Sequence, residues 1–458
     1  MSKSKIQILK GDPKNSIMQI SFPIMVTMLM TTLYNLIDGM WIAGLGESAI
    51  AGVGLIVPLF ALINGISNGL GNGITSSINR FREEYGEEKA NIVGSQSVII
   101  VIVVSILLTI SLLLFLGPYL SIYTHDEQTK IEAITYAVPL FVGLFSFVIA
   151  QIFASIFRAE GDTKRSMYAM SIGFILNAVL DPVFIYVLNM GSAGAAISTV
   201  VTCILSTIIM FYWIFIKKDT IIKINVRKLL QSKWDWFITK DIFKTGIPAS
   251  LVLFTLSFST MLYNLLIADI AGDLGLSIYS SAYRIYILGL MPITSICSGL
   301  VAIYGTHYGA KNSKFFKSAH TYGTIYAFIF GSIVCALFFI FSDQLAYLFM
   351  LVTENPQLTA GISENIRITS FCIPFLGLGL PSSYLYQGVG KGFKSLLWTF
   401  VYEVVCTVPA ICFFVFFLDC GLIGIWTGFV VGRGATSILN FIAARVSIRK
   451  IVKKWNCE

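Results

Sequence analysis

Twelve apolar stretches follow one another along this chain, and little else lies between them. They fall near 16–44, 48–78, 91–117, 131–157, 166–189, 193–216, 245–270, 276–306, 319–341, 365–388, 395–418 and 422–444. Each is long enough for a membrane-spanning helix, which needs ~20 apolar residues. Of the 458 residues, 56% are hydrophobic and only 12% charged, against about 25% charged in soluble domains. A soluble core has no room for that much apolar surface, whereas a bilayer accepts it. In hydrocarbon the backbone must satisfy its own hydrogen bonds, which favours helices. The expected class is therefore an all-α integral membrane protein with twelve transmembrane helices. The first stretch carries Asp38 and runs straight into the second without a small-residue cleavage site, so it is expected to be a span and not a removed signal.

A formal net charge of +8 raises the question of nucleic acid, and its placement answers it. With the N-terminus inside, all but four of the 32 Lys and Arg fall on inner segments; the exceptions are Lys130, Arg284, Arg367 and Arg433. That asymmetry follows the positive-inside rule and predicts two cytoplasmic termini in a plasma-membrane protein. The basic excess is read as topology and contact with anionic lipid, with no nucleic-acid partner. Eight cysteines are scattered without a CxxC pair, which indicates neither a disulfide framework nor a zinc site.

The chain also matches itself. Sliding it by 229 to 230 positions brings Tyr34-Asn35-Leu36 onto Tyr263-Asn264-Leu265, Gly46 onto Gly275 and Gly69-Leu70 onto Gly299-Leu300. The same offset brings Gly161 onto Gly390 and Gly191-x-x-Gly194 onto Gly421-x-x-Gly424. An even number of spans per half makes this a parallel repeat, with the substrate path expected between the two six-helix lobes. The expected organisation is an N-lobe at 1–216, a cytoplasmic linker at 217–244 and a C-lobe at 245–458. Val226, Leu229, Leu230, Trp234 and Phe237 recur at helical spacing among basic residues, so the linker reads as an interfacial amphipathic helix. In the second span Gly65-x-x-x-Gly69-x-x-x-Gly73 is small-residue spacing that lets helices approach closely.

Ionisable groups inside spans are costly, and each is a functional candidate. Counting helix rise, Asp38, Asp181, Thr199 and Tyr136 all fall roughly 8–12 Å below the outer surface. Asn177 lies one turn deeper than Asp181 on the same helix face. Pro182 crowds the carbonyl of Ala178 beside that face, which leaves a further oxygen in need of a partner. This all-oxygen set suits a hard cation. It suits a proton equally, because two neighbouring buried carboxylates resist ionising together. If the ion is Na⁺, the expected ligands are Asp38, Asn177, Asp181 and Thr199. The second half lacks these acids: Ile267 and Ala410 stand at the repeat positions of Asp38 and Asp181. It carries Arg284, Glu403 and Arg433 instead, as a substrate-cavity or structural network, and Glu403 and Arg433 match in depth well enough for a buried ion pair.

No Walker A spacing exists; the run from Gly388 to Ser395 places its Lys and Ser wrongly. ATP hydrolysis is not expected, and no cofactor is expected besides a coupling ion. His125, His307 and His320 are too dispersed for a metal site, and no nucleophile–base motif stands out, so the chain does not read as an enzyme.

These residues resemble the multidrug and toxic compound extrusion (MATE) transporters of bacteria and archaea along the whole chain. The most specific stretch runs from Phe153 to Val183, with Phe157-Arg-Ala-Glu-Gly-Asp-Thr-Lys164 and Asn177-Ala-Val-Leu-Asp-Pro182. Pro23, Asp38 with Gly44-Leu-Gly-Glu-Ser-Ala49, and Gly194-Ala-Ala-Ile197 follow the same pattern. The resemblance implies a V-shaped pair of lobes and antiport by alternating access. It implies cation coupling at Asp38, Asn177 and Asp181, with Thr199 and Tyr136 in the same polar cluster, as in the DinF-like and MepA-like branches. The acids that the NorM-like branch carries in its second lobe have no clear equivalents here. The function this implies is a Na⁺- or H⁺-coupled antiporter, monomeric, exporting small organic molecules that are cationic or amphipathic. The alternative is a lipid-linked oligosaccharide flippase of the same superfamily. Such flippases often have about fourteen spans and a strongly cationic cavity, whereas this chain has few cations inside its spans.

Overall fold

The structure is a computed structural model that describes residues 2–225, 234–350 and 356–457. Among these residues there is no strand; the chain is helical almost throughout. After a short helix, Ser2–Lys10, the spans are α1 (Pro13–Ala43), α2 (Glu47–Tyr85), α3 (Glu87–Tyr123) and α4, which is two segments, Glu127–Val142 and Leu144–Ala159. Next come α5 (Thr163–Pro182, prolonged by a π-helical turn Val183–Val187) and α6 (Gly191–Phe211, prolonged by Tyr212–Ile216). Continuous helical hydrogen bonding from Trp236 to Gly309 hides two spans, because Gly272 has non-helical angles (φ 57°, ψ −148°); α7 is 236–271 and α8 is 273–309. The set closes with α9 (Ser313–Ile340), the two-part α10 (Pro356–Ser370 and Cys372–Gly388), α11 (Gly392–Phe417, alternating α and π turns) and α12 (Gly421–Trp455). Nine of the described helices are long and apolar enough to cross a membrane, and the two bent pairs, kinked by 49° in α4 and 47° in α10, add one span each. With Trp236–Gly309 divided at Gly272, these are the twelve spans expected from hydropathy.

The two halves repeat each other in backbone detail. Gly161 and Gly390 share a left-handed conformation (φ 77° and 76°), as do Asn189 and Asp419 (52° and 51°) and Gly191 and Gly421 (53° and 52°). Leu188 N–H donates to the Val183 carbonyl, and Leu418 N–H to that of Phe413, the five-residue spacing of a π turn. Met190 and Cys420 likewise reach back to Phe184 and Phe414, both at 3.1 Å. The glycines there are required by space. A Cβ on Gly194 would sit 2.7 Å from the Phe184 carbonyl oxygen, and one on Gly424 would sit 3.0 Å from that of Phe414.

By packing, the chain forms two compact units, Met1–Lys10 with Phe22–Ser250, and Gly11–Ser21 with Leu251–Glu458. The first unit thus holds the opening turns of α7, and the second holds the opening turns of α1. The glycine row of α2 serves the first of these arrangements. A Cβ on Gly69 would lie 2.4 Å from the Ser250 nitrogen, and one on Gly73 would lie 2.6 Å from the Ile242 carbonyl oxygen. In the second unit, a Cβ on Gly299 of α8 would meet Ser21 Oγ at 2.8 Å. Removing side chains at these contacts lets two backbones touch, the reason small residues line helix interfaces in membranes.

Residues 217–225 run as turns and irregular backbone, and Val226, Leu229 and Leu230 lie outside the described residues. Trp234 precedes α7, donating from Nε1 to Thr239 Oγ1 at 2.9 Å, while Phe237 sits in the first turn of α7 and packs on Phe81. What holds 217–225 is polar. Arg165 grips Asp219 with two bonds of 2.6 Å, Glu160 Oε1 accepts from Ile222 N–H at 2.8 Å, and Asn91 Oδ1 accepts from Lys223 N–H at 2.7 Å. A strap tied by side chains to its own unit has no need of helical spacing.

Partial burial disfavours ionisation of Asp219, but the twin bonds and charge of Arg165, with Lys217, outweigh it and hold the carboxyl below its ordinary range. A depressed folded-state value means the tie is at full strength above about pH 4, the unfolded value, and weakens as pH falls through the folded one. Because the pair is partly exposed to solvent, which screens it, Asp219→Asn is expected to cost at most about 1 kcal/mol. At neutral pH that predicts tryptic cleavage at Lys217, Lys218 and Lys223 accelerated by up to about fivefold. Unchanged cleavage would show that the strap is held by Glu160 and Asn91 alone.

Candidate functional site

The first unit gathers its polar residues from α1, α4, α5 and α6. Asp38, Asn177, Asp181, Thr199 and Tyr136 are all buried, each exposing 9% or less of its surface. Ser198 Oγ lies against Asp181 Oδ1 and is also 2.9 Å from the Ala195 carbonyl oxygen. Asn177 Nδ2 donates to Ser198 Oγ at 3.2 Å and to Thr199 Oγ1 at 3.4 Å. Thr199 in turn shares a 3.0 Å hydrogen bond with the Tyr34 hydroxyl, whose ring stacks on Phe174. The carboxyls of Asp38 and Asp181 are within side-chain hydrogen-bonding reach of each other, and Tyr136 is near enough to feel both charges. The five candidates of the first half therefore form one cluster.

Local sequence explains the convergence. Asn177 and Asp181 are separated by one turn on α5, so both face α6, while Tyr34 lies one turn before Asp38 on α1. Pro182 lacks an N–H, and beyond it the helix loosens into the Val183–Val187 π turn. The kink of α4 falls at Gly143, where a Cβ would be 2.3 Å from the Val200 side chain, so α4 comes close to α6 one residue beyond Thr199. A cleft with about 220 Å³ of space, part of it open to its surroundings, bounded by Phe60, Leu140, Phe147, Thr199 and Cys203, lies beside the cluster. Sequence reasoning missed Ser198 and Tyr34. Both bear neutral hydroxyls, which carry no charge penalty to flag them; helical spacing from Asp38 and adjacency to Thr199 were the available signals.

Three buried oxygens in this cluster receive no hydrogen bond: Asp38 Oδ1, Asp181 Oδ2 and Asn177 Oδ1. All three are acceptors. Among the described residues no group of three or more His, Cys, Asp or Glu could hold a metal, so the set offers two carboxylates with amide and hydroxyl oxygens, the chemistry of a proton or a hard alkali cation.

The second unit holds a different cluster. Glu403 and Arg433, both buried, form an ion pair with Nη2 to Oε2 at 2.8 Å. Arg433 Nη1 donates to the Tyr286 hydroxyl at 3.0 Å, and the Tyr263 hydroxyl is 2.9 Å from Glu403 Oε2. The guanidinium carbon lies 4.9 Å from the ring centre of Phe429 and 5.5 Å from that of Tyr402. Glu403 stands in a π-helical stretch, Val401–Cys406. Arg284 does not join this network; it is exposed on α8. Its place within a span says nothing about which face of the helix carries it.

A family model described as MatE matches residues 23–183 and 248–412. The chain belongs to the MatE family. The two matched segments are the two halves of the repeat, and family members are membrane transporters, not enzymes. The chain is similar to the multidrug export protein MepA of Staphylococcus aureus, 22% identical over 378 residues that cover 82% of each chain. It is similar to the probable multidrug resistance protein NorM of Thermotoga maritima, 22% identical over 451 residues, 96% of this chain and 95% of that one. The solved structure of a MOP superfamily transporter from Pyrococcus furiosus superposes with a TM-score of 0.93 at 33% identity, covering 97% of this chain and 98% of the other. Twelve spans in two lobes are thus the architecture of a MatE transporter.

The Glu403–Arg433 pair yields a stability prediction. Glu403→Gln leaves a buried guanidinium without its counter-charge, at a cost of about 3–5 kcal/mol, whereas replacing a whole ion pair with apolar residues is often near neutral. Thermal unfolding in detergent should show a clearly lowered midpoint for Glu403→Gln and recovery of most of that loss in the double variant Glu403→Met/Arg433→Met. A double variant as unstable as the single one would show that the charges do more than neutralise each other.

Proposed function

We propose that this MatE protein is a proton-coupled antiporter that exports small organic cations or amphipathic molecules by alternating access, with Asp38 and Asp181 as the coupling pair. The observation that carries the proposal is the approach of two buried carboxyls: Asp38 and Asp181 lie within side-chain hydrogen-bonding reach of each other. Two carboxylates repel at that range, and a proton on one lets it donate to the other. Ser198, which accepts from Asn177, has its single hydrogen to give to Asp181 or to the Ala195 carbonyl oxygen. The unmet oxygens of Asp38 and Asn177 point to a deficit of hydrogens. Na⁺ is the alternative ion, with oxygens of Asp38, Asn177, Asp181 and Thr199 as its ligands; no cofactor is invoked.

In this reading, neutralising the acidic pair favours one packing of α1, α5 and α6, and releasing the proton favours another. A ligand shifts such an equilibrium only by its differential affinity for the two states. An acidic site that is neutral in one state and charged in the other meets that requirement. The acids of the first unit favour cationic substrates. The relatives described as multidrug export and multidrug resistance proteins lend support to drug-like cargo. The oligosaccharide-flippase reading calls for uncompensated cations along a cavity, and Arg433 is instead neutralised by Glu403. The distribution of Lys and Arg supports a plasma-membrane protein with both termini in the cytoplasm, and a monomer suffices for the two-lobe mechanism.

Reconstituted in liposomes with a fluorescent organic cation, the wild type should transport under an imposed pH gradient and not under a Na⁺ gradient alone. Asp38→Asn and Asp181→Asn should abolish gradient-driven transport, and Ser198→Ala should reduce it by about tenfold through loss of one hydrogen bond to a charged group. Transport driven by Na⁺ alone would replace the proton with Na⁺. Undiminished transport by Asp38→Asn would remove the acidic pair from coupling.

A further inference from the structure

The second unit contains a cleft with about 330 Å³ of space, part of it open to its surroundings, whose unmet polar groups differ from those of the Asp38–Asp181 cluster. Asn365 and Arg433 line it with Tyr279, Tyr283, Tyr286 and Phe429. Asn365 is 3% exposed and Arg433 7%, and in each a donor lacks a partner: Asn365 Nδ2 and Arg433 Nε. The Thr369 hydroxyl donates to the Asn365 carbonyl oxygen at 2.7 Å and lies 3.3 Å from Asn365 Oδ1, while Arg433 Nη1 and Nη2 are taken by Tyr286 and Glu403.

The walls are aromatic. Tyr279 stacks on Trp426 and on Phe429 at interplanar angles of 9°, with centroid distances of 6.1 and 5.9 Å. Arg433 lies over Phe429. Flat aromatic faces beside two unpaired donors describe a ligand with a planar ring and an acceptor oxygen at its edge. A bare cation is disfavoured, since a guanidinium and an amide N–H₂ both turn positive hydrogens toward it.

We propose that this cavity is a binding site for aromatic carboxylates and closely related ring-borne acceptor groups, with the carboxylate held by Arg433 Nε and Asn365 Nδ2 and the ring against Tyr279 and Phe429. The inference goes beyond the antiport reading and does not depend on it, because binding requires neither a gradient nor the acidic pair. An unpaired buried donor costs stability until something accepts from it, so a ligand oxygen gains twice, by its own bonds and by relieving Asn365 and Arg433.

The test is equilibrium dialysis of the full chain in lipid nanodiscs, with empty nanodiscs subtracted. The probes are 2-naphthoate and the 2-naphthyl-trimethylammonium cation, which share a ring and differ in charge. The wild type should bind 2-naphthoate at least about tenfold more tightly than the cation. Asn365→Leu removes one donor without stranding a charge and should cut naphthoate affinity about tenfold while leaving the cation unchanged. Glu403→Met/Arg433→Met removes the other donor within a neutral pair and should abolish the preference. Equal wild-type binding of both probes, absence of naphthoate binding, or a preference that survives in both variants would overturn the proposal. The wild-type comparison stands even if one variant fails to fold, and a variant of Asp38 that loses transport but keeps naphthoate binding separates this site from the coupling site.

Discussion

In hydrocarbon a polar group has no water to fall back on, and every buried donor or acceptor must be met by the protein or by something the protein carries. That constraint shapes this chain at two scales. It makes the backbone helical almost everywhere, and it gives meaning to unmet side-chain atoms where several converge on one place. At the Asp38–Asn177–Asp181 cluster of the first unit the deficit is of hydrogens. At the Asn365–Arg433 cleft of the second it is of acceptors. Two halves built on one repeat have kept the same backbone devices, with left-handed residues at matching places, while their buried chemistry has moved to opposite polarity.

Much of the fold was legible in hydropathy, because apolar length and the internal match are properties of sequence alone. Helix ends were less so. Apolar windows report bilayer thickness, and helices continue beyond it when charged side chains find partners. The second window closes at 78, yet α2 runs to Tyr85 because Arg80 pairs with Asp241 at 2.7 Å and Arg82 Nη2 meets Asn79 Oδ1 at 2.6 Å. The opening of the linker, 217–225, was illegible for a related reason. Helical spacing of apolar residues says nothing about competing side-chain acceptors, and Glu160 and Asn91 take the backbone N–H groups of Ile222 and Lys223 in an irregular conformation.

The site was legible where charge was costly. Asp38 and Asp181 stand out in apolar surroundings, and depth grouped them correctly with Asn177, Thr199 and Tyr136. Charge within a span was not a sufficient signal at Arg284, which is exposed on α8. Around Glu403 even helical spacing becomes unreliable, since each π turn inserts a residue and advances the face by about 100° relative to an α-helix. Ser198 was invisible for the opposite reason: a hydroxyl can satisfy itself on a backbone carbonyl one turn back, as many hydroxyls in this chain do, and nothing in the sequence separates those from the one that meets a carboxyl.

The two deficits also bear on how one repeat can serve a transporter. A coupling ion must be small, must leave readily and needs only oxygens, which α5 supplies by placing Asn177 and Asp181 one turn apart. At the corresponding point of α11, Ala410 replaces the acid and the charge appears at Glu403, about two turns earlier, inside a π-helical stretch. There it neutralises Arg433, so the cavity of the second unit keeps directional donors without a large net charge. A buried guanidinium standing alone would bind an anion too tightly to release it, and an apolar cavity without donors would not discriminate between ligands. The Glu403–Arg433 pair sits between these extremes. Its strength sets how much of the guanidinium remains for a ligand, which makes Glu403 the residue through which affinity in that cavity is tuned.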